Sequence, residues 1–189
     1  QPVLNMLNTK YIIYADDKAP ILNTHALGSA WFVDEVRQVK NADEEITTLG
    51  KIDPARTALV DARYYAEVAN AARPDPTASV KLNGYKSNEL NYTVKSKEGG
   101  VVVFSEIWYG PDWVAEIDGK PAPYVRADYV LRAMKVPAGE HTVRFYIVSK
   151  PYNIGGRIAS VSSFVLLVLV LLAVGWEVKR SREFLSRES

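Results

Sequence analysis

The longest apolar run of the chain lies close to its C-terminus. Residues 158–176 read IASVSSFVLLVLVLLAVGW and contain no charged side chain. As an α-helix this run would be about 28 Å long, close to the thickness of the hydrocarbon core of a bilayer. The pattern predicts a transmembrane helix over 158–176, with Trp176 anchored at the lipid–water interface. The alternative, a buried helix of a soluble fold, is disfavoured because such helices are usually shorter and keep a polar face.

The basic residues that flank this run indicate its orientation. Lys150 and Arg157 precede it, and four basic residues follow it closely: Lys179, Arg180, Arg182 and Arg187. Positive charge is retained on the cytoplasmic side of a membrane. We therefore predict that residues 177–189 form a cytoplasmic basic tail. Residues 1–150 would be extracytoplasmic, joined to the helix by a short flexible linker at 151–157.

The first 76 residues have mixed patterning, which predicts a small N-terminal α/β segment. Three apolar runs in it are typical of strands: residues 11–14, 30–36 and 58–61. Between the last two runs, Asn41 has the position of a helix N-cap, with Glu44 as its capping-box partner. The sequence RPDP at 73–76 ends the segment, because two prolines separated by one residue are excluded from helix interiors and central strands.

Beyond residue 76 the pattern alternates with a period of two and predicts antiparallel strands. Val143, Phe145 and Ile147 alternate with polar residues, whereas the run 101–108 is apolar enough for a strand covered on both faces. Asp118-Gly119 is a strong signal for a hairpin turn. About seven short strands at this spacing predict an antiparallel β-sandwich, jelly-roll-like, over residues 77–150. The predicted fold class is therefore mainly β, with a small α/β N-terminal segment and one C-terminal transmembrane helix.

Composition and motifs exclude several kinds of chemistry. The formal net charge is +1 and the basic residues are scattered, so no nucleic-acid partner is predicted. Cysteine is absent, and His25 and His141 do not belong to a metal-binding motif. The sequence also has no Gly-rich phosphate loop and no G-x-S-x-G elbow. We predict no catalytic residue, no metal site and no cofactor within this chain.

Four residues are candidates for contact with a ligand: Trp108, Tyr109, Trp113 and Arg132. Arg132 lies on the apolar face of a predicted strand, where an unpaired charge would be very costly. It either ties strands together by pairing with a carboxylate or binds an anionic ligand. Its candidate partners are Glu106, Glu116 and Glu140. The three aromatic residues surround a Gly-Pro turn and would either stack on sugar rings or pack between strands.

The same region carries a family resemblance. FSEIWYGPDWVAEIDGKPAPYVRADYVLRAMKVPAGEHTVRF, residues 104–145, resembles the C-terminal extracytoplasmic module of the bacterial YfhO-type membrane proteins. LNMLNTKYIIY at 4–14, ALGSAWFV at 26–33 and the single closing transmembrane helix resemble that family as well. The chain departs from the family pattern at Gly110-Pro111-Asp112, where a shorter turn is expected. The family motif maps onto Trp113, Asp118, Gly119, Arg132, Gly139, Glu140 and His141.

The resemblance implies a function for the parent protein. YfhO-type proteins are polytopic and similar to GT-C glycosyltransferases, which move sugars from polyprenyl-phosphate carriers to cell-envelope polymers. The catalytic acidic residue of GT-C enzymes lies among membrane helices that this chain does not include. The resemblance thus implies a non-catalytic accessory domain at the bacterial inner membrane, whose parent is a candidate glycosyltransferase. Its partners would be the membrane, the remaining transmembrane helices, and an envelope glycan or polyprenyl-phosphate sugar. The alternative is a purely structural or protein-interaction domain with no ligand of its own.

Overall fold

The computed structural model describes residues 1–110 and 112–185. It divides the chain into two units, Gln1–Ile147 and Val148–Ser189. Pro111 of the predicted Gly-Pro turn and residues 186–189 of the predicted tail lie outside the described residues. The prediction of a mainly β fold with antiparallel sheets, a small N-terminal α/β part and one C-terminal apolar helix is confirmed. The finer jelly-roll-like description stays a prediction.

The first unit begins with short elements. In chain order they are α1 (Pro2–Met6), β1 (Tyr11–Ile12), β2 (Ile21–Leu22), β3 (Ala30–Val33), β4 (Glu35–Val39), α2 (Ala42–Leu49), β5 (Thr57–Asp61) and a 3₁₀ helix at Tyr65–Glu67. The strands that follow are β6 (Ser79–Lys86), β7 (Glu89–Ser96), β8 (Gly100–Phe104), β9 (Trp113–Ile117), β10 (Lys120–Pro121), β11 (Val125–Ala127), β12 (Leu131–Val136) and β13 (Gly139–Ile147).

Two antiparallel sheets form the body of the first unit. One has five strands in the order β10-β9-β13-β7-β6, and the other has four in the order β11-β12-β8-β3. Aromatic rings join them: Phe104 of the four-stranded sheet lies 4.9 Å from both Tyr92 and Phe145 of the five-stranded sheet, centroid to centroid. These edge-to-face contacts are the favoured arrangement of buried rings. The two sheets therefore share one apolar core.

The four-stranded sheet is covered on both faces. Along β8, Val102 and Phe104 join the core shared with the five-stranded sheet, whereas Val101 and Val103 join a second core. That second core includes the parallel pair β4–β5 and helix α2. Because successive strand residues point to opposite faces, a continuously apolar strand fits between two layers. The predicted doubly covered strand is thus present, and it ends at Phe104.

The N-terminal segment takes part in both layers. Strand β3 pairs with β8, so residues before the predicted boundary at 76 complete the four-stranded sheet. The chain then leaves this sheet at Asp34, whose backbone N–H donates to the Arg56 carbonyl at 2.8 Å, and β4 starts the parallel pair. The predicted strand over 30–36 is therefore two strands in two different sheets. A long-range pairing of this kind leaves no local signal in the sequence.

Helix α2 begins as its sequence predicts. The Asn41 side chain accepts a hydrogen bond from the backbone N–H of Glu44 at 3.0 Å. The Glu44 carboxylate accepts from the backbone N–H of Lys40 at 2.7 Å, one residue before the N-cap, so the capping box is closed one position early. Three acidic residues in the first turn also favour the positive end of the helix dipole.

The second unit contains helix α3 (Lys150–Leu185). Its stretch Pro151–Glu177 is long and apolar enough to cross a membrane, and its apolar side chains are exposed. The predicted linker at 151–157 is helical and belongs to α3. Proline is tolerated in the first turn of a helix, and each glycine of the pair Gly155-Gly156 costs only about 1 kcal/mol in a helix interior. These residues therefore do not prevent the helix from starting before the charge-free run.

A buried polar cluster connects the α/β layer to the four-stranded sheet. Glu45 of α2 accepts hydrogen bonds from Arg126 and from the backbone N–H of Tyr129, both at 2.8 Å. Asp128 accepts from the backbone N–H of Leu59 at 2.8 Å. Asp128 and Tyr129 have positive φ angles of 48° and 72° in the β11–β12 turn. Since non-glycine residues adopt that conformation only when their surroundings fix it, these bonds hold the turn.

Asp128 makes the stability of this cluster depend on pH. Burial, with a smaller contribution from the Glu45 charge, raises the pKa of Asp128 from 3.8 to about 7. Between about pH 4 and pH 7 the folded chain therefore keeps a proton that the unfolded chain has released, so stability falls as the pH rises. We expect the wild type to lose stability relative to Asp128→Asn across this window, measured by urea denaturation of the full chain in detergent.

Asp61→Asn is the matched control for this experiment. Hydrogen bonds from Arg63 lower the pKa of the buried Asp61 to about 2, so this group does not titrate in the same window. The change in the free energy of unfolding that Asp61→Asn causes should therefore be equal at about pH 5 and about pH 8. A difference between the wild type and Asp128→Asn that stays constant from pH 4 to pH 7 would contradict the assignment.

Candidate functional site

Arg132 lies near the start of β12, on the face that meets the five-stranded sheet. It pairs with Phe104 of β8, and it shares its face with Met134 and Val136, as the sequence predicts. Only 2% of its surface is exposed. Its Nε donates a hydrogen bond to the backbone carbonyl of Ile107 at 3.1 Å. The loop that follows β8 thus closes over the guanidinium and supplies its hydrogen-bond acceptor.

Aromatic rings, and not carboxylates, surround the guanidinium. Its carbon lies 4.2 Å from the centroid of the Trp113 ring and 5.3 Å from that of Phe145. Contacts of this kind attract a cation through the negative face of the ring, most strongly when water is excluded. The Nη1 atom is buried without a hydrogen-bond partner among the described residues.

The expected ion pair of Arg132 is not formed within the described part of the chain. Glu140 pairs with Lys95 at 2.9 Å, and Glu116 accepts a hydrogen bond from the Tyr146 hydroxyl at 2.7 Å. Glu106 is half-buried and lies near enough to sense the charge of Arg132. Of the two alternatives for Arg132, pairing with a carboxylate is thus not seen in the described chain, where a backbone carbonyl and two ring faces contact the guanidinium instead.

The electrostatics of the site follow from its burial. Burial lowers the pKa of Arg132, and the neighbouring Tyr124, Glu106 and Tyr92 partly offset this effect. Burial also raises the pKa of Glu106, which the charge of Arg132 opposes. Arginine stays protonated in proteins even so. The site thus combines a fixed cation with an unused N–H donor, the groups that bind phosphate or carboxylate.

The three candidate aromatic residues do not form one cluster. Trp113 packs on the guanidinium of Arg132. The Trp108 ring lies 6.0 Å from that of Tyr64, and its backbone N–H donates to the Val130 carbonyl at 2.7 Å. The Tyr109 side chain is exposed. Of the four predicted site residues, the structure brings Trp113 and Arg132 together, and it places Trp108 and Tyr109 against different surroundings.

Sequence reasoning missed the polar groups that surround Arg132. The Tyr92 hydroxyl is buried without a hydrogen-bond partner among the described residues. The Tyr124 hydroxyl donates to the Trp113 carbonyl at 3.1 Å. Tyr92 alternates with apolar residues on β7, so its sequence pattern is that of an ordinary core residue. Glu106, in contrast, was among the candidate partners named from the sequence, and of those three it is the one whose charge Arg132 senses.

A second part of the motif, Asp118, Gly119 and His141, has a structural role. Asp118 and Gly119 have positive φ angles of 51° and 76° in the β9–β10 turn. Asp118 accepts a hydrogen bond from His141 Nδ1 at 2.6 Å and another from the Thr142 backbone N–H at 2.8 Å. His141 Nε2 lies 3.1 Å from the Ala138 carbonyl, which only accepts. The hydrogen bond with Asp118 raises the pKa of His141, which favours the imidazolium that would donate to both acceptors, and the pair fastens the turn to β13.

No group of three or more His, Asp or Glu side chains in residues 1–110 and 112–185 is placed to hold a metal ion. The cation of the site is instead the guanidinium of Arg132. It supplies charge and a hydrogen-bond donor, but neither a nucleophile nor a base. The chemistry available here is binding of an anionic group.

These features define a class of protein. A mainly β unit is followed along the chain by a helix that is long and apolar enough to cross a membrane, which is the composition of a membrane protein with a domain outside the bilayer. A family model described as bacterial membrane protein YfhO matches residues 57–159. The chain therefore belongs to the YfhO family of bacterial membrane proteins, and the resemblance seen in the sequence is confirmed. No curated protein and no solved structure matches the chain.

The match extends from β5 to the first turns of α3. It thus includes the whole five-stranded sheet, the loop after β8 and the groups that contact Arg132, namely Ile107, Trp113 and Phe145. The segment 1–56, with β3 and β4, lies outside it. The candidate site therefore lies in the part of the chain that the family defines.

Arg132→Met tests the cost of burying the cation. Methionine has a similar length without the charge, and replacing a buried charge by an apolar residue is often neutral or stabilising. We expect the free energy of unfolding of Arg132→Met to equal that of the wild type or exceed it by up to about 2 kcal/mol. Arg132→Ala should lose about 2–4 kcal/mol, because it leaves a cavity. Denaturation followed by near-UV circular dichroism measures both. A large loss in Arg132→Met would mean that the ring and carbonyl contacts outweigh the desolvation cost.

Proposed function

We propose that residues 1–147 are a non-catalytic extracytoplasmic accessory domain of a polytopic membrane protein. The parent protein would resemble the GT-C glycosyltransferases, which move sugars from polyprenyl-phosphate carriers to cell-envelope polymers. Membership of a family of bacterial membrane proteins supports this proposal. The observation that carries it is the buried Arg132, whose cation has no carboxylate partner in the described chain.

The position of Arg132 fits a phosphate-bearing ligand of a membrane. It lies at the end of the two sheets where β8 ends, β9 and β12 begin, and β13 ends at Ile147. We call this end the exit end, because the chain leaves the first unit there. A phosphate group would meet the unused Nη1 donor, and Trp113 would offer a ring face to a sugar. For either contact the loop after β8 has to move, since it covers the guanidinium.

A second candidate is a structural or protein-interaction domain with no ligand of its own. The observation that favours it is the burial of Arg132 and the packing of Trp108 and Trp113 on protein groups. In this case the cation and its rings would fix the loop after β8 and define the packing of the two sheets. The contacts within the domain would then satisfy the charge of Arg132 without a ligand.

Titration of the full chain in lipid nanodiscs separates the two candidates. The ligands are a polyprenyl-phosphate monosaccharide and a soluble envelope glycan, and the readout is NMR of the indole N–H groups. We expect saturable shifts at Trp113 and at least tenfold weaker binding in Arg132→Met, because the phosphate loses its cation. Arg144→Met is the matched control, since Arg144 pairs with Glu89 at 3.1 Å at a part-exposed position of the five-stranded sheet.

Two outcomes of this titration oppose the ligand-binding proposal. If the wild type shows no saturable shift at millimolar ligand, the structural candidate is supported. Equal affinities of the wild type and Arg132→Met would place any binding site elsewhere. Either outcome leaves the family membership unaffected, because that rests on the sequence match alone.

The proposed topology has its own test. Residues 1–150 would face away from the cytoplasm and residues 177–189 would face it, in the bacterial inner membrane. The chain has no cysteine, so Lys97→Cys and Ser189→Cys each introduce a single label site. We expect a membrane-impermeant maleimide to label position 97 in intact spheroplasts and position 189 only after lysis. The reverse pattern would invert the topology.

A further inference from the structure

The exit end of the first unit exposes large apolar side chains. Three are more than half exposed: Tyr85 (67%), Ile107 (58%) and Tyr109 (55%). Burying such side chains away from water is favourable, so a group of them on a surface indicates a partner. Lys86 next to Tyr85 adds an exposed positive charge.

Strand pairing places these residues at the same end. Ile107 and Tyr109 lie in the loop between Phe104, where β8 ends, and Trp113, where β9 begins. Trp113 pairs with Ile147, the last residue of β13. Tyr85 pairs with Leu90, and Leu90 also pairs with Phe145 of β13. All three apolar side chains therefore lie at the end of the sheets where the chain leaves the unit.

The N-terminal elements extend this surface. The Ser105 hydroxyl donates to the Met6 carbonyl at 2.8 Å, which ties α1 to the loop after β8. The ribbon β1–β2 and its flanks follow α1 and expose five large side chains: Tyr11, Ile13, Tyr14, Ile21 and Leu22. Tyrosine combined with aliphatic residues is typical of the lipid–water interface, where one end of the side chain is apolar and the other is wet.

The opposite end of the sheets is polar. The turns at 97–99 and 137–139 join strands there, and neither contributes to the exposed large apolar side chains of the described chain. Among the described residues of the first unit, most exposed large apolar side chains therefore lie at the exit end or in the N-terminal elements, with Ile46 of α2 as an exception. An apolar surface distributed in this way matches a partner that approaches from one side.

The chain itself brings such a partner within reach. Helix α3 begins at Lys150, only three residues after β13 ends, and its charge-free run begins at Ile158. At 1.5 Å per residue, about 12 Å of helix separates Lys150 from the run that enters the hydrocarbon. The short connection from β13 to α3 therefore keeps the headgroup layer of that membrane within reach of the exit end.

We propose that the exit end docks on the lipid–water interface of the membrane that α3 crosses. Ile107 and Tyr109 enter the headgroup layer, and Lys86 lies beside anionic headgroups. This contact holds the loop over Arg132 against the membrane surface. The inference goes beyond the accessory function proposed above and holds equally for a purely structural domain.

Site-directed spin labelling of the full chain tests this docking. Because the chain has no cysteine, Ile107→Cys and Tyr109→Cys each carry one nitroxide, and Glu98→Cys and Ala138→Cys at the polar end are the controls. The chain is reconstituted in vesicles of phosphatidylcholine and phosphatidylglycerol. Power saturation then compares collisions with oxygen, which concentrates in lipid, and with a water-soluble nickel chelate. We expect at least a threefold higher ratio of oxygen to nickel collisions at 107 and 109 than at 98 and 138.

Every other result overturns the proposal. If the nickel chelate reaches 107 and 109 as readily as the control positions, the exit end is in water. If both reagents are excluded at 107 and 109, a protein surface covers them, either a second copy or another partner. Ile107→Asp in the Tyr109→Cys background is a second variant, and we expect it to lower the collision ratio at 109 towards the controls. An unchanged ratio would show that Ile107 does not contribute to the docking.

Discussion

Burial of β8 and β12 on both faces is the constraint on which the rest of the structure depends. Every residue from Gly100 to Phe104 is buried, and alternate side chains enter two different cores. A strand in this position needs a layer on each side, so neither the five-stranded sheet nor the α/β layer can be removed without exposing one core to water. The polar cluster around Glu45 then fixes the register of the α/β layer, because its hydrogen bonds reach the β11–β12 turn.

Features that arise from local interactions could be predicted from the sequence. The N-cap at Asn41, the turn at Asp118-Gly119 and the apolar run of α3 each depend on residues that are close in the chain. The pairing of β3 with β8 joins distant segments and leaves no periodic signal. For this reason the sequence pattern of residues 1–76 did not reveal that Ala30–Val33 complete the four-stranded sheet.

The candidate site shows the same limit at the level of single side chains. The burial of Arg132 followed from its place on the face of Met134 and Val136, which a period of two reveals. Its partners did not follow, because a backbone carbonyl and ring faces can be supplied by any sequence that forms the loop. The charge pattern suggested a carboxylate, whereas Glu116 and Glu140 had closer partners on their own sheet. The two residues that proved adjacent, Trp113 and Arg132, are also in the family motif.

The central sheet also determines when this unit can fold during synthesis. Ala30 pairs with Phe104, and Phe104 pairs with Arg132, so the sheet is complete only after β12 has been made. Until then the apolar side chains of β5 have no sheet to cover. Pairing of distant segments is slow because a long loop must close before any contact forms. Closure of the four-stranded sheet therefore has to wait for β12, which is made shortly before the apolar helix, so the long-range pairing is late in the order of synthesis.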